Sequence, residues 1–325
     1  MTVESPSEFA AYLGYSVGWR AVRLMPQRVA YRTFSGIADQ LWRQQGSGVT
    51  QLQRNLGRVV PDASQRELRE LSRAGMQSYF RYWCDVFRLP DQSRRSILAT
   101  FDLIGKQQLH DALAAGTGAI VVLPHAGNWD HAGAYAALEF DNLVSVAEDL
   151  KPERLTSKFL EFRESLGMEI LTLRKGQDVF GQLVDLVGQN KVIALLGDRD
   201  LTSSGVPVEF FGHATRMPAG PAALAHATGA PLFAATLWYD GPMAFASLSR
   251  QIPVDLAADR TTAVRDTTQR TADMLARGIA EHPADWHMLQ RLWLSDLDQS
   301  RLKASKYDLP GETGGQGAAA AGAGD

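Results

Sequence analysis

The chain has 325 residues, of which 45% are hydrophobic and 21% charged, and its formal net charge is −3. That length holds one large packed domain or two small ones, and the composition is that of an ordinary folded soluble protein. A single cysteine, Cys84, excludes an internal disulfide, and no apolar run reaches the roughly 18–20 residues that span a bilayer.

Residues 1–10 are acidic-polar rather than basic then apolar, so no secretory leader is expected there. Residues 1–100 carry 14 arginines, no lysine and 8 acids, a net of +6 that leaves −9 on the remainder. Such a basic segment on an acidic protein either meets an anionic partner or is an arginine-rich helical surface with none. Residues 8–45 read as helix interrupted near Pro26, with Phe9, Tyr12, Leu13, Val17 and Leu24 at helical spacing and Trp19, Arg20 and Arg23 among them. Arginines beside aromatic rings suit an interfacial amphipathic helix, and equally a helix packed on the main domain. Residues 49–60 and 64–90 read as further helices, the second capped by Asp62 or Ser64 and ended by Pro90. Its aromatic stretch, 79–87, is core or the wall of a substrate tunnel.

From about residue 101 the pattern becomes alternating strands and helices. Strands are expected at 119–123, 143–147, 169–172, 192–196, 232–238 and 243–248, and helices at about 129–139, 153–166, 176–190, 218–229 and 261–281. Near-continuous apolar strands between helices predict an α/β fold whose central, mostly parallel β-sheet is flanked by helices, preceded by an N-terminal helical membrane-associating segment. The expected organisation is a helical region over 1–100, an α/β core over 101–310, and a disordered Gly/Ala-rich tail over 311–325.

The run Val121-Val-Leu-Pro-His125-Ala-Gly-Asn-Trp-Asp130 puts a histidine just after a buried strand. Gly127 permits a tight turn and Asn128 can cap the next helix, so Asp130 in its first turn is expected to return to the imidazole. A hydroxyl is a poor nucleophile near neutral pH and needs a base such as histidine, whose second nitrogen a carboxylate can fix. No Gly-x-Ser-x-Gly elbow follows, and Cys84 lies in an aromatic helix. The hydroxyl then belongs to a second substrate, which is the logic of direct acyl transfer without an acyl-enzyme. The bland alternative is a helix-capping Asp130 near an unrelated loop histidine. A metal site at Asp130-His131 lacks the spaced His or Cys pair it needs.

The block His125-Ala-Gly-Asn-Trp-Asp130 resembles the signature of the bacterial lipid A lauroyl/myristoyl acyltransferases, within the glycerophospholipid acyltransferase superfamily. So do Gly197-Asp-Arg-Asp200, Gly205-Val-Pro-Val-Glu-Phe-Phe-Gly212, Arg216-Met-Pro-Ala-Gly-Pro221, Thr228-Gly-Ala-Pro231 and His282-Pro-Ala-Asp-Trp-His287-Met-Leu-Gln-Arg-Leu-Trp293. The resemblance covers residues 10–297. On Ala147-Glu-Asp-Leu-Lys-Pro-Glu-Arg154 and Phe162-Arg-Glu-Ser-Leu-Gly167 the chain is most similar to the actinobacterial phosphatidylinositol mannoside acyltransferases.

The resemblance implies a peripheral enzyme on the cytoplasmic face of the plasma membrane. It would move palmitoyl from acyl-CoA, as co-substrate, to the 6-hydroxyl of the mannose at inositol position 2, with no cofactor, metal or nucleic acid. It makes His125 the general base and Asp130 its orienting partner. Glu148 becomes an acceptor-side carboxylate and Arg163 a sugar-pocket residue. Asp198 stands where the mycobacterial pattern has Glu in Ala-Glu-Arg-Asp, and reaches about one methylene less far toward the imidazole; Arg199 and Asp200 are nearby alternatives. Arg216 either binds CoA phosphates or closes its loop, and Trp286, His282 and His287 are structural. Backbone N–H groups near Gly127 or at 217–220 are candidates for an oxyanion hole. The alternatives are a lipid A-type acceptor, an acyl-carrier-protein donor, or a lipid-binding protein without chemistry.

Overall fold

The structure is a computed structural model and describes residues 17–148, 153–173, 176–298 and 303–308. The expectations for residues 1–16 and for the tail over 311–325 lie outside the described residues. Four helices lead: helical residues 17–24 (α1), α2 (Gln27–Gln44), α3 (Ser47–Val59) and α4 (Gln65–Arg88). Pro26 is the N-cap of α2, which explains the break expected there. Ser64 caps α4 in a reciprocal box with Glu67.

The remaining elements alternate as α5 (Arg94–Ala99), β1 (Phe101–Ile104), α6 (Gln107–Ala114), β2 (Ala119–Leu123), α7 (Trp129–Phe140), β3 (Leu143–Glu148), α8 (Glu153–Ser165), β4 (Glu169–Leu173), α9 (Val179–Gly188) and β5 (Val192–Leu196). Then come β6 (Val206–Phe210), β7 (His213–Met217), α10 (Gly220–Thr228), β8 (Leu232–Asp240), β9 (Met243–Leu248) and α11 (Arg260–Glu281). Among the described residues the main sheet has seven strands in the order β1-β9-β8-β2-β5-β3-β4. Every pairing is parallel except β8 with β9. This is the expected α/β architecture with helices on both faces.

Alternate residues of β2 supply the two sides. Ile120 and Val122 join the core beneath α9, α10 and α11, while Ala119 and Val121 join the core under α7 and α8. Leu52, Leu56 and Met76 of α3 and α4 belong to the first of these cores, so the N-terminal helices pack directly on the sheet. No helix among the described residues is long and apolar enough to cross a membrane.

Two parts of the sheet structure were not foreseen. β1 is four residues long and alternates buried with exposed, too short for its period to stand out. The β6–β7 hairpin buries Val206, Val208 and Phe210 and turns through Phe211 and Gly212, both at positive φ. Phenylalanine in the left-handed region is rare enough that a turn there is not read from sequence.

Candidate active site

β2 and β5 are parallel neighbours with Leu123 opposite Leu196. His125 and Asp198 each stand two residues past that pair, so both leave the sheet at the same level and side by side. The Gly197 N–H extends the ladder by donating to the Leu123 carbonyl at 2.9 Å. A Cβ on Gly197 would stand 2.2 Å from Val122 Cγ1, so glycine is what lets β5 run this close to β2.

Asp198 is fully buried and accepts three hydrogen bonds. His125 Nδ1 donates to Oδ1 at 2.6 Å, the His125 backbone N–H donates to Oδ2 at 3.0 Å, and Trp286 Nε1 donates to Oδ2 at 3.0 Å. Burial pushes the carboxyl pKa up, but the His125 charge and these donors outweigh it and hold Asp198 below the usual carboxylate range. An ionised Asp198 can only accept, so the Nδ1 proton belongs to the imidazole. The His125 side chain is 37% exposed, so the ring reaches solvent while its anchor does not.

The loop that carries His125 is clamped by the segment after α11. Gly127 N–H donates to the Asp285 carbonyl at 2.9 Å, His287 N–H donates to the His125 carbonyl at 2.8 Å, and Ala126 bridges Trp286. Gly127 has φ +55°, and a Cβ there would lie 2.8 Å from the Leu237 carbonyl carbon of β8. Because the Gly127 N–H is committed to Asp285, it is not a donor for an oxyanion. His287 packs its ring near Trp129 and Tyr82, and burial plus the His125 charge push its pKa down to about 3. Its Nε2 meets the Ser78 hydroxyl at 2.8 Å, and Ser78 donates to Asp285 at 2.5 Å. The acid here holds the serine rather than the histidine, so the trio does not have the wiring of a serine nucleophile. Burial and Asp85 push the Cys84 thiol up to about 12, which removes it as a nucleophile as well.

Asp130 departs from expectation. Asn128 does cap α7, accepting from His131 N–H at 2.9 Å, and Asp130 is in the first turn. Its carboxylate does not orient the imidazole but is 2% exposed between other partners: Arg163 Nε donates to Oδ1 at 2.7 Å and Tyr82 Oη donates to Oδ2 at 2.7 Å. The Asp130 charge holds the Arg163 pKa above its ordinary value, and burial does the same for the Tyr82 hydroxyl. The helical turn explains this: the cap at Asn128 points the next residues along α7, toward α8 and α4 rather than back over β2. Arg163→Met would strand a buried carboxylate and should destabilise the protein by about 3 kcal/mol in urea or thermal unfolding, with Asp130→Asn recovering part of the loss.

The Asp130–Arg163 pair forms part of the wall of an apolar cavity of about 100 Å³ between the sheet and α7. Leu123, Leu196 and Trp129 line it near the strand ends, and Leu103, Leu109 and Leu248 line its far part. His131, beside Asp130 in sequence, donates from Nε2 to the Ile97 carbonyl at 3.2 Å, and burial lowers its pKa to about 4; it belongs to the core. Glu148 ends β3, the strand next to β5, and its side chain lies outside the described residues.

The remaining expected residues serve the loop after β5. Arg199 Nε donates to the Arg291 carbonyl at 3.0 Å, and Asp200 Oδ1 accepts from Thr202 N–H at 2.9 Å. Arg216 is 5% exposed, donates to the Lys303 carbonyl at 2.7 Å and lies 3.7 Å from Asp308, so it closes its loop rather than presenting itself to a CoA phosphate. The residues that sequence reasoning passed over are Tyr82 and Trp286. Tyr82 lay within the aromatic run of α4, with nothing to distinguish its hydroxyl from its neighbours, and Trp286 was read as structural.

The family model described as bacterial lipid A biosynthesis acyltransferase matches residues 1–295. A protein named phosphatidylinositol mannoside acyltransferase from Mycolicibacterium smegmatis is 44% identical over 290 residues, 89% of this chain and 93% of the relative. One of the same name from Mycobacterium tuberculosis is 43% identical over 293 residues, 88% of this chain and 90% of the relative. With a buried carboxylate–imidazole couple at the strand ends and a match over nearly its whole length, the chain belongs to the bacterial lipid A biosynthesis acyltransferase family.

Proposed function

We propose that this O-acyltransferase moves a palmitoyl-length chain from acyl-CoA to the 6-hydroxyl of mannose in phosphatidylinositol mannosides, with His125 as general base. The acceptor follows from the names and near-full-length similarity of the mycobacterial relatives. The observation that carries the chemistry is the His125 Nδ1–Asp198 bond, 2.6 Å long, beside an apolar cavity whose lining includes Trp129, the ring next to His125.

With the proton fixed on Nδ1, the other ring nitrogen takes the hydroxyl proton as the hydroxyl oxygen bonds to the thioester carbon. Asp198 stabilises the imidazolium that forms. The tetrahedral oxyanion collapses, the carbon–sulfur bond breaks, and the departing thiolate recovers the proton from the ring. The apolar cavity, at about 100 Å³, takes the first part of the acyl chain, and each methylene kept from water there contributes about 0.8 kcal/mol.

The test is transfer of radiolabelled palmitoyl from CoA, and separately from acyl carrier protein, to phosphatidylinositol mono- and dimannosides and to a lipid A precursor. Label on mannose O6 from CoA is expected. Label on the lipid A precursor alone overturns the acceptor, and label from the carrier protein alone overturns the donor.

Peripheral attachment to the anionic cytoplasmic leaflet belongs to the same reading. Leu24 is 85% exposed, and Val29, Ile37 and Leu41 also face solvent on α2. Arg20, Arg28 and Arg32 are exposed along this face, whereas Arg23 is paired with Asp91. Replacing Arg20, Arg28 and Arg32 together by Gln should weaken binding to anionic liposomes roughly 100-fold at low salt, at about 1 kcal/mol per arginine. Unchanged sedimentation with the liposomes would dismiss this face as the electrostatic anchor.

A further inference from the structure

We infer that Trp286 is a positioning residue for the acyl-transfer step: its indole N–H fixes the Asp198 carboxylate so that one oxygen alone is presented to the His125 ring. The inference rests on the proposed role of His125 as base.

Oδ2 of Asp198 is occupied twice, by Trp286 Nε1 and by the His125 backbone N–H, each at 3.0 Å. That leaves Oδ1 for the ring, at 2.6 Å. With only the backbone N–H on Oδ2, the carboxylate could rotate about its short side chain and share the ring between its oxygens. Two donors on one oxygen, from different directions, define the plane.

Trp286 is itself closely packed. It is fully buried, its ring sits 6.0 Å from Phe210 and 6.1 Å from Trp293, and its backbone bridges Ala126 in the histidine loop. A buried indole N–H must find an acceptor, and the one this ring has is Asp198. The same tripeptide therefore holds both members of the couple: Asp285 and His287 hold the loop through backbone hydrogen bonds, and Trp286 holds the acid.

The donor also tunes the base. Among the described residues, the charged and titratable groups around the His125 ring include Asp198, His287 on the clamp, and, beyond the Trp129 and Tyr82 rings, the Asp130–Arg163 pair. A hydrogen bond to Asp198 from any source but the ring spreads its charge and lowers its pull on an imidazolium. Removing the indole donor should make Asp198 more basic and the His125 imidazolium harder to deprotonate.

Trp286→Phe keeps an aromatic ring and deletes the donor. Its kcat–pH profile should show the acid limb moved up by about one pH unit, with the alkaline plateau within a few-fold of wild type. Phe211→Leu, which loosens the packing around the ring without touching the N–H, should leave the limb in place. A uniform loss of rate with an unmoved limb in Trp286→Phe reduces Trp286 to a packing residue and overturns the inference.

A second measurement uses the wild type and stands if the variant does not fold. The Trp286 indole N–H resonance in a 15N-labelled sample should titrate with the same apparent pKa as the His125 ring; a pH-invariant signal overturns the inference. A wild type that transfers no acyl group overturns the proposed reaction instead, and the titration still decides whether Trp286 and His125 are coupled.

Discussion

Replacing His125 by alanine should lower acyl transfer by about 10⁴-fold or more while donor binding stays near the wild-type value. The loss is large because, among the described residues, the neighbouring histidines are not poised to take the hydroxyl proton. His287, packed against the same rings, has its pKa held near 3 by burial, and its Nε2 is engaged by Ser78. His131 is bonded to the Ile97 carbonyl in the core. The apolar cavity proposed for the alkyl chain is lined by side chains that the substitution leaves alone, so binding of a non-hydrolysable acyl-CoA, measured by calorimetry, separates a lost base from a lost fold. Transfer that survives in His125→Ala would leave the protein a base elsewhere; loss of donor binding would place the ring in the binding site rather than in the chemistry.

Asp198→Asn should cost roughly 10³-fold in kcat with little change in KM. The asparagine amide can donate to Nδ1, which moves the ring proton to the nitrogen that must act as base. The negative charge that stabilises the imidazolium is lost at the same time. The second effect has a signature: without the carboxylate the imidazolium is the more acidic, so whatever activity remains should have its acid limb at lower pH. Trp286→Phe moves the limb the other way, since there the carboxylate is strengthened rather than removed. Opposite shifts from two substitutions on one carboxylate are hard to produce by general destabilisation. Asp198 also makes the fold sensitive to acid. A carboxyl whose pKa is lower folded than unfolded stabilises the protein above its unfolded pKa, and that contribution is lost as the pH falls through the folded value.

Asp130 has the opposite profile. It belongs to the His-x-x-x-x-Asp spacing, yet its bonds go to Arg163 and Tyr82. It fixes α7 to α8 and α4 in the wall of the apolar cavity, so its neutralisation should be felt first in stability and in the shape of that cavity.

Local signals in the sequence were enough for the helices and strands around the site. The apolar run 119–123 followed by Pro-His, the capping Asn128, the Ser64 box and the break at Pro26 each state their own structure, because capping and burial act over a few residues. Alternation of apolar strands with helices sufficed for a mostly parallel α/β sheet, and the motif blocks for the family. Short or polar strands such as β1 and β7 were hidden, since their pairing partners, rather than their own composition, make them strands.

What the sequence could not supply was the choice of partner for His125. Asp130 is five residues away and Asp198 seventy-three, and nearness along the chain favoured the former. The tertiary structure decided otherwise through three facts with no local signature. β5 inserts between β2 and β3, its register sets Leu196 opposite Leu123, and Gly197 lets the two strands close up. A parallel neighbour is chosen by long-range crossover connections and by packing on both faces. The side chains that meet at the strand ends are therefore a property of the assembled sheet, and the shorter aspartate reaches the imidazole because the backbone beneath it has been brought close.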